Sequence, residues 1–392
     1  MSILDVCKKR IKAYLGIPSY STEPVVYPPS SKEIGAVLYS YLDYPLGWES
    51  DDKRFDGHSN LWESREIVHI LRRMGFRVEA VPWTDRFFYP QKSYDVIFDI
   101  HTNLQRWGPF LKKESKKILH LTGSYFNFQR DAELARVSAF EDRSGCLYSP
   151  KRIPADLDLA ERSHRLADHC SLIGNEITLQ TYPEIYRSKI TPVPVSGSRL
   201  DRVKSTLDEY VPVEREFLWF YGGGAVHKGL DLVLEVFKRN PDLTLHVVAK
   251  LESEKDFLLA YGDTLLRSSN VHYHGYLPPA SPKFHALAQR VVANIAPSCS
   301  EGISPATVTC MQYGFYPIIS RHNGITLPEG NGSYLEECSI LEIEEKIRTV
   351  FQMPKAPLQE EIQVCQSYAL EEFSRENFSN KMRTFLIKAL GI

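Results

Sequence analysis

The sequence predicts an α/β protein of two lobes, each a parallel β-sheet with crossover helices, facing one another across a cleft. Three observations predict it: short apolar runs each followed by a stretch of helical period, the appearance of that pattern twice, and a length of 392 residues, too long for one ordinary core. With 43% hydrophobic and 24% charged residues, the composition is that of an ordered globular chain, which excludes disorder over most of it.

The first 30 residues, running into Tyr27, Pro28, Pro29 and Ser30 just before Ser31, read as an extension made of a peripheral helix and a linker. Residues 31–205 carry the first set of strands, at 34–40, 76–81, 94–100, 116–122 and 169–173. The helix between the first two covers 62–74, with Ile67, Ile70, Leu71 and Met74 on one face and Gly75 as its stop. Residues 191–198, stiffened by Pro192 and Pro194, cannot be helical and read as the connection between lobes, with the boundary near Ser205. The second set, at 217–221, 243–249, 271–276, 291–296 and 316–320, belongs to residues 206–371. Its first crossover helix, 230–239, turns Leu230, Val233, Leu234 and Phe237 inward. The final segment, 372–392, is amphipathic through Phe373, Phe378, Met382 and Leu386.

A formal net charge of -2 offers no long-range field for nucleic acid, so phosphate binding has to arise locally. Seven cysteines without CxxC spacing argue against both a disulfide framework and a zinc site, and imply a reducing cytoplasm. Lys8, Lys9, Arg10 and Lys12 interrupt the N-terminal apolar residues, so no signal-peptide core forms, and no 18-residue apolar run exists. Peripheral contact with the inner membrane surface through this basic helix is compatible with the sequence.

Two stretches carry chemistry. In the first, an apolar strand breaks into Gly222, Gly223 and Gly224, and His227-Lys228-Gly229 then open an amphipathic helix. Glycines admit close approach of a ligand, helix amides favour an anion and Lys228 adds a charge, which together make a phosphate cradle. The spacing is neither that of a Walker loop nor GxGxxG, and a turn that merely packs helix on sheet is the plainer alternative. In the second, a strand ends at Ala296 and a polar loop carries Glu301, followed by a helix that Gly314 stops. Glu301 thus lies outside the carboxyl end of a parallel strand, where open α/β sheets bind ligands, although a carboxylate also suits any helix start.

Together, over residues 215–325, these stretches resemble the retaining glycosyltransferases of the GT-B fold, in the group 1, family 4-like branch, whose two Rossmann-like domains face a cleft. The resemblance implies that Gly222, Gly223, Gly224 and Lys228 hold a donor diphosphate, and that Glu301 with the amides of Gly302, Ile303 and Ser304 holds the donor sugar. It implies that His120 faces that sugar from the first lobe and that the last helix crosses back onto the first lobe. Two positions depart from the family: Thr309 stands where a ribose-binding glutamate is usual, and Ala225 and Val226 stand where an arginine is common. Thr309 could still offer a hydroxyl, and Lys250 the missing cation. His101, at a strand's carboxyl end, is a second candidate histidine. His58 and Glu63 precede or open the first crossover helix and could orient an acceptor, with capping by Ser59 or Asn60 as the alternative. Asp156-Leu157-Asp158 matches an Asp-x-Asp metal signature but reads as a solvated helix face, and the resemblance implies no metal and no cofactor. The implied activity is transfer of a hexosyl group from a nucleotide-diphosphate sugar to a glycan or other hydroxyl acceptor with retention, as in polysaccharide biosynthesis. A nucleotide-sugar epimerase and a degenerate GT-B scaffold share these features.

Overall fold

A computed structural model describes residues 23–200 and 202–392. The peripheral helix expected at the N-terminus, and any membrane contact through it, lie outside the described residues.

Two sheets form. The first contains β1 (Val25–Tyr27), β2 (Gly35–Tyr41), β3 (Phe76–Pro82), β4 (Val96–Asp99), β5 (Lys116–Leu121), β6 (His169–Ile173) and β7 (Ile190–Val193), in the spatial order β1-β3-β2-β4-β5-β6-β7. All neighbours are parallel except β1, which runs antiparallel to β3. The second contains β8 (Glu216–Phe220), β9 (Leu245–Val248), β10 (Val271–Tyr273), β11 (Val291–Ala296), β12 (Tyr316–Ser320) and β13 (Ser333–Leu335), in the order β10-β9-β8-β11-β12-β13, parallel throughout. Every residue of β8 and β11 is buried, as central parallel strands covered on both faces require, and this is why they read as mainly apolar runs, with Glu216 and Asn294 as their polar members.

Three short strands escape the sequence pattern. β1 lies within the expected extension; its Val25 and Val26 stay exposed, so no buried face marks it. β7 falls within the expected interlobe connection. Its Pro192 is tolerated because β7 is the edge of the sheet, where a missing N–H leaves no ladder bond unmade. β13 has only three residues and closes the far edge of the second sheet.

The principal helices are α1 (Ser59–Arg73), α2 (Phe126–Ser144), α3 (Leu157–Leu166), α4 (Leu230–Arg239), α5 (Lys255–Arg267), α6 (Pro305–Tyr313), α7 (Ile340–Gln352), α8 (Lys355–Glu372) and α9 (Arg375–Leu390). α9 returns to the first sheet: Phe378, Met382 and Leu386 are buried, and the Phe378 ring meets Trp62 of α1 edge-on at 5.8 Å. α2 does the reverse. It leaves the first sheet after β5 and lays Phe140 against Phe257 and Tyr261 of α5, at ring separations of 6.3 and 5.8 Å. An interlobe joint is thereby built from apolar side chains.

In each sheet the chain steps outward and then returns to the middle. In the second sheet β8 is followed outward by β9 and β10, and β11 then pairs on the other side of β8. The crevice outside the carboxyl ends of β8 and β11 is the switch point at which such sheets bind ligands.

Candidate active site

At that switch point the chain leaving β8 turns through Gly222, Gly223 and Gly224, and the turn closes with Lys228 N–H donating to Gly224 O at 2.8 Å. Gly224 has φ +82°, a conformation that favours glycine. Trp219 of β8 donates its indole N–H to the Lys228 carbonyl at 3.2 Å, which fixes the lysine relative to the sheet. From β11 the chain runs on to Glu301, whose carboxylate pairs directly with Lys228 Nζ. The ammonium also lies 5.3 Å above the Tyr221 ring. Burial lowers the pKa of Lys228 against the pull of Glu301. Burial of Glu301 is outweighed by Lys228 and His227, which hold its carboxyl below the ordinary range.

The loop amides have an occupant of their own. Buried Glu254 accepts from Gly224 N–H at 2.5 Å and Ala225 N–H at 2.9 Å, and its second oxygen also accepts from Tyr148 OH at 3.2 Å. The expected backbone cradle is therefore already filled at these two amides by a carboxylate of the same lobe.

The first lobe closes over this pair. Ser124 Oγ donates to the Glu301 carbonyl at 2.8 Å, and a Cβ on Gly302 would lie 2.5 Å from Ile173 O and 2.7 Å from Thr122 O. Glu133 of α2 stands 3.3 Å from His227 Nδ1, and His227 Nε2 is 2.7 Å from Ser300 O. Burial disfavours a charged His227, but its contacts with Cys299 and Glu133 prevail and raise it to about 9. Arg136 donates to Pro297 O at 3.1 Å, and Arg143 pairs with Asp231.

The remaining expected residues divide. Lys250 is exposed, with its ammonium 4.7 Å from the Tyr276 ring centre. Thr309 turns its hydroxyl back to Pro305 O at 2.9 Å, Ser304 caps α6, and the Ser304 amide donates to Asn323 O. Ile303 is buried. His101 is exposed, packs 4.4 Å from Trp83 and lines a cavity of about 280 Å³ at the carboxyl ends of β4 and β5, with Thr122, Gly123 and Ser124. His58 caps α1 by accepting from Asn60 N–H at 3.3 Å, a role expected of Ser59 or Asn60.

Two expectations are corrected. His120 does not face the cleft: it is fully buried within β5, 2.8 Å from Ser171 Oγ and between the rings of Tyr41 and Phe98, and burial lowers it to about 3. Side chains alternate along β5, so Leu119 and Leu121 take the cavity side and His120 the core side. Glu63 does not face an acceptor either. It is buried in α1, accepts from Ser196 N–H at 2.7 Å and anchors the segment after β7, and burial lifts it to about 7.

A second cavity, about 730 Å³, lies between α2 and the second lobe, lined by Arg136, Arg143, Cys299, Cys338 and Ser339. It holds neither Lys228 nor Glu301. Among the described residues, no group of three or more His, Cys, Asp or Glu is arranged to hold a metal ion.

No family model matches the chain, and no curated protein matches it by sequence. Solved structures do match by shape. Sucrose-phosphate synthase from Thermosynechococcus elongatus superposes with a TM-score of 0.66 over 91% of this chain and 99% of its own, at 11% identity. The catalytic domain of starch synthase IV from Arabidopsis thaliana, solved with ADP and acarbose, gives 0.58 over 92% and 100%, at 10% identity. The chain has the GT-B fold. A further GT-B structure, HepE of Anabaena in complex with UDP and glucose, gives 0.54 over 91% and 99%, at 12% identity. Within the GT-B frame of this chain, the Gly222 to Gly224 turn and Glu301 flank the crevice between the lobes. Among the described residues, no helix is long and apolar enough to cross a membrane.

Proposed function

We propose that this GT-B chain is a glycosyltransferase that moves a hexosyl group from a nucleotide-diphosphate sugar to a hydroxyl group of a glycan or other acceptor, with retention at the anomeric carbon. The observation that carries the reading is the Lys228–Glu301 pair at the switch point of the second sheet, covered by Thr122 to Ser124 of the first. Its support is the similarity to structures that hold UDP with glucose and ADP with acarbose.

In this reading the anomeric C–O bond to the diphosphate breaks as the acceptor oxygen bonds to the same carbon on the same face. The acceptor proton passes to the departing phosphate oxygen. Negative charge grows on the diphosphate, and a fixed ammonium at Lys228 stabilises that charge more than it stabilises the ground state. Glu301 positions Lys228 and offers its free lone pairs to sugar hydroxyls. Contact between Gly302 and Thr122 excludes water from the reacting carbon. Because Glu254 fills two loop amides, the phosphates address side chains rather than those amides. The neutralising charge comes from side chains, so transfer is expected to survive chelation of divalent metals by EDTA.

A GT-B scaffold that binds nucleotide without turnover is the competing reading, favoured by the same Glu254 contacts and by the inward turn of the Thr309 hydroxyl. The deciding experiment is a thermal-shift titration with UDP, GDP and ADP and their sugars, followed by a transfer assay on the sugars that bind. A ligand at 100 times its dissociation constant stabilises by about 2.7 kcal/mol. Binding with sugar transfer supports the enzyme, binding without transfer supports the scaffold, and no binding removes both.

A further inference from the structure

The segment that follows α2 brings one arginine to the glycine turn. Arg152 is exposed to the cleft, and its guanidinium lies over Gly224: a Cβ built on that glycine would be 3.2 Å from Nε and 3.7 Å from Nη2. Its backbone is fixed on both sides, the N–H donating to Glu133 Oε1 at 2.7 Å and the carbonyl accepting from Gln129 Nε2 at 2.5 Å. The neighbouring residues are docked on the second lobe, Tyr148 through Glu254 and Ser149 N–H through Asp256 at 3.2 Å. Among the described residues, no hydrogen bond or ion pair engages the Arg152 guanidinium.

The charges around it leave a deficit. Lys228 is cancelled by Glu301, protonated His227 by Glu133, and Glu254 adds a negative charge beneath the turn. Lys250 rests on the Tyr276 ring. Arg152 is the cation whose guanidinium stands over the turn itself. The field of Arg152 already reaches both members of the pair, lowering the pKa of Lys228 and of Glu301.

We propose that Arg152 is a diphosphate-binding residue supplied from the first lobe, which makes the donor site a composite of both lobes. The proposal rests on the donor-site reading given above. A guanidinium presents paired N–H donors that match two phosphate oxygens, and its strength on a diphosphate exceeds that of a neutral donor. Because Oε1 of Glu133 holds Arg152 and Oε2 faces His227, the residue before Lys228, one carboxylate sets the spacing of the two cations.

The test is calorimetric titration of UDP, GDP and ADP, and of the matching nucleosides, into the wild-type protein and the Arg152→Ala and Arg152→Gln variants. For the diphosphate that the wild type binds, both variants are expected to lose about tenfold or more in affinity and to show a shallower salt dependence, with nucleoside affinity unchanged. Gln keeps the side-chain stem, so a loss shared by both variants at unchanged melting temperature assigns the effect to the charge. Diphosphate binding by both variants within about twofold of wild type overturns the proposal while leaving the donor site intact. Failure of the wild type to bind any of the three overturns the donor-site reading and this proposal with it.

Discussion

Glu133 and His227 face each other at 3.3 Å, a carboxylate from the first lobe against an imidazole of the second, both almost wholly buried. The pair places a titration inside the interlobe joint. Since contacts with Cys299 and Glu133 raise His227 to about 9 in the folded protein from an ordinary 6.5, its protonation contributes stability that is fully present below pH 6.5 and is lost as pH rises through 9. The linked free energy is about 3 kcal/mol. Glu133→Gln keeps an acceptor for the Lys151 and Arg152 amides but removes the charge, so melting temperature measured from pH 6 to 10 should show a weaker descending limb that begins at lower pH. An unchanged limb would assign it to other groups.

Glu63 gives the opposite case. Burial lifts it to about 7 from 4.5, so the folded state holds the proton more tightly than the unfolded one. Stability on this account is greatest below pH 4.5 and declines as pH rises to 7, where the ionised carboxyl must be accommodated. Glu63→Gln retains an acceptor for Ser196 and is expected to be more stable than wild type above pH 7, by roughly 3 kcal/mol, and equal to it near pH 4. Denaturant titrations at the two pH values measure the difference.

Lys228 and Glu301 should behave as a unit. Removing either leaves the other buried without its counter-charge, at a cost of about 3 to 5 kcal/mol. The double variant Lys228→Ala/Glu301→Ala is expected to be less destabilised than the sum of the single ones, and a double-mutant cycle in urea gives the coupling. Additive losses would contradict the direct pair.

Gly302→Ala tests the closure. Its Cβ would meet backbone oxygens of Ile173 and Thr122, which cannot swing away as a side chain would. The lobes must part or the loop must shift, at about 1 to 3 kcal/mol. Small-angle scattering should show a larger radius of gyration for the variant; an unchanged radius would place the shift within the loop alone.

Much of this architecture was legible in the residues, for identifiable reasons. β11 and β12 have the expected bounds because each is a wholly buried run ended by a polar turn, and α4 begins after Gly229 and ends at Arg239 as its apolar period indicates. Lys228 and Glu301, 73 positions apart, could be assigned to one site in advance because each follows a strand's carboxyl end, but their direct pairing was not legible in the sequence. His120 misled because proximity to a strand's end does not say which face a side chain takes. Glu133, Arg152 and Glu254 gave no local signal at all: the first two depend on α2 docking against the other lobe, and Glu254 reaches the turn from a distant segment of its own lobe, contacts that no periodicity encodes.

The carboxylate of Glu254 beneath the glycine turn has one more implication. A bare turn of this kind is a generic receptor for anions, able to hold sulfate, free phosphate or any nucleotide with little discrimination. With its two inner amides plugged from below, the turn loses that indifference, and selectivity among anions passes to side chains arriving from two separate lobes. Substitutions at those side chains can then retune what the crevice accepts without disturbing the turn itself, which separates the evolution of specificity from the maintenance of the fold.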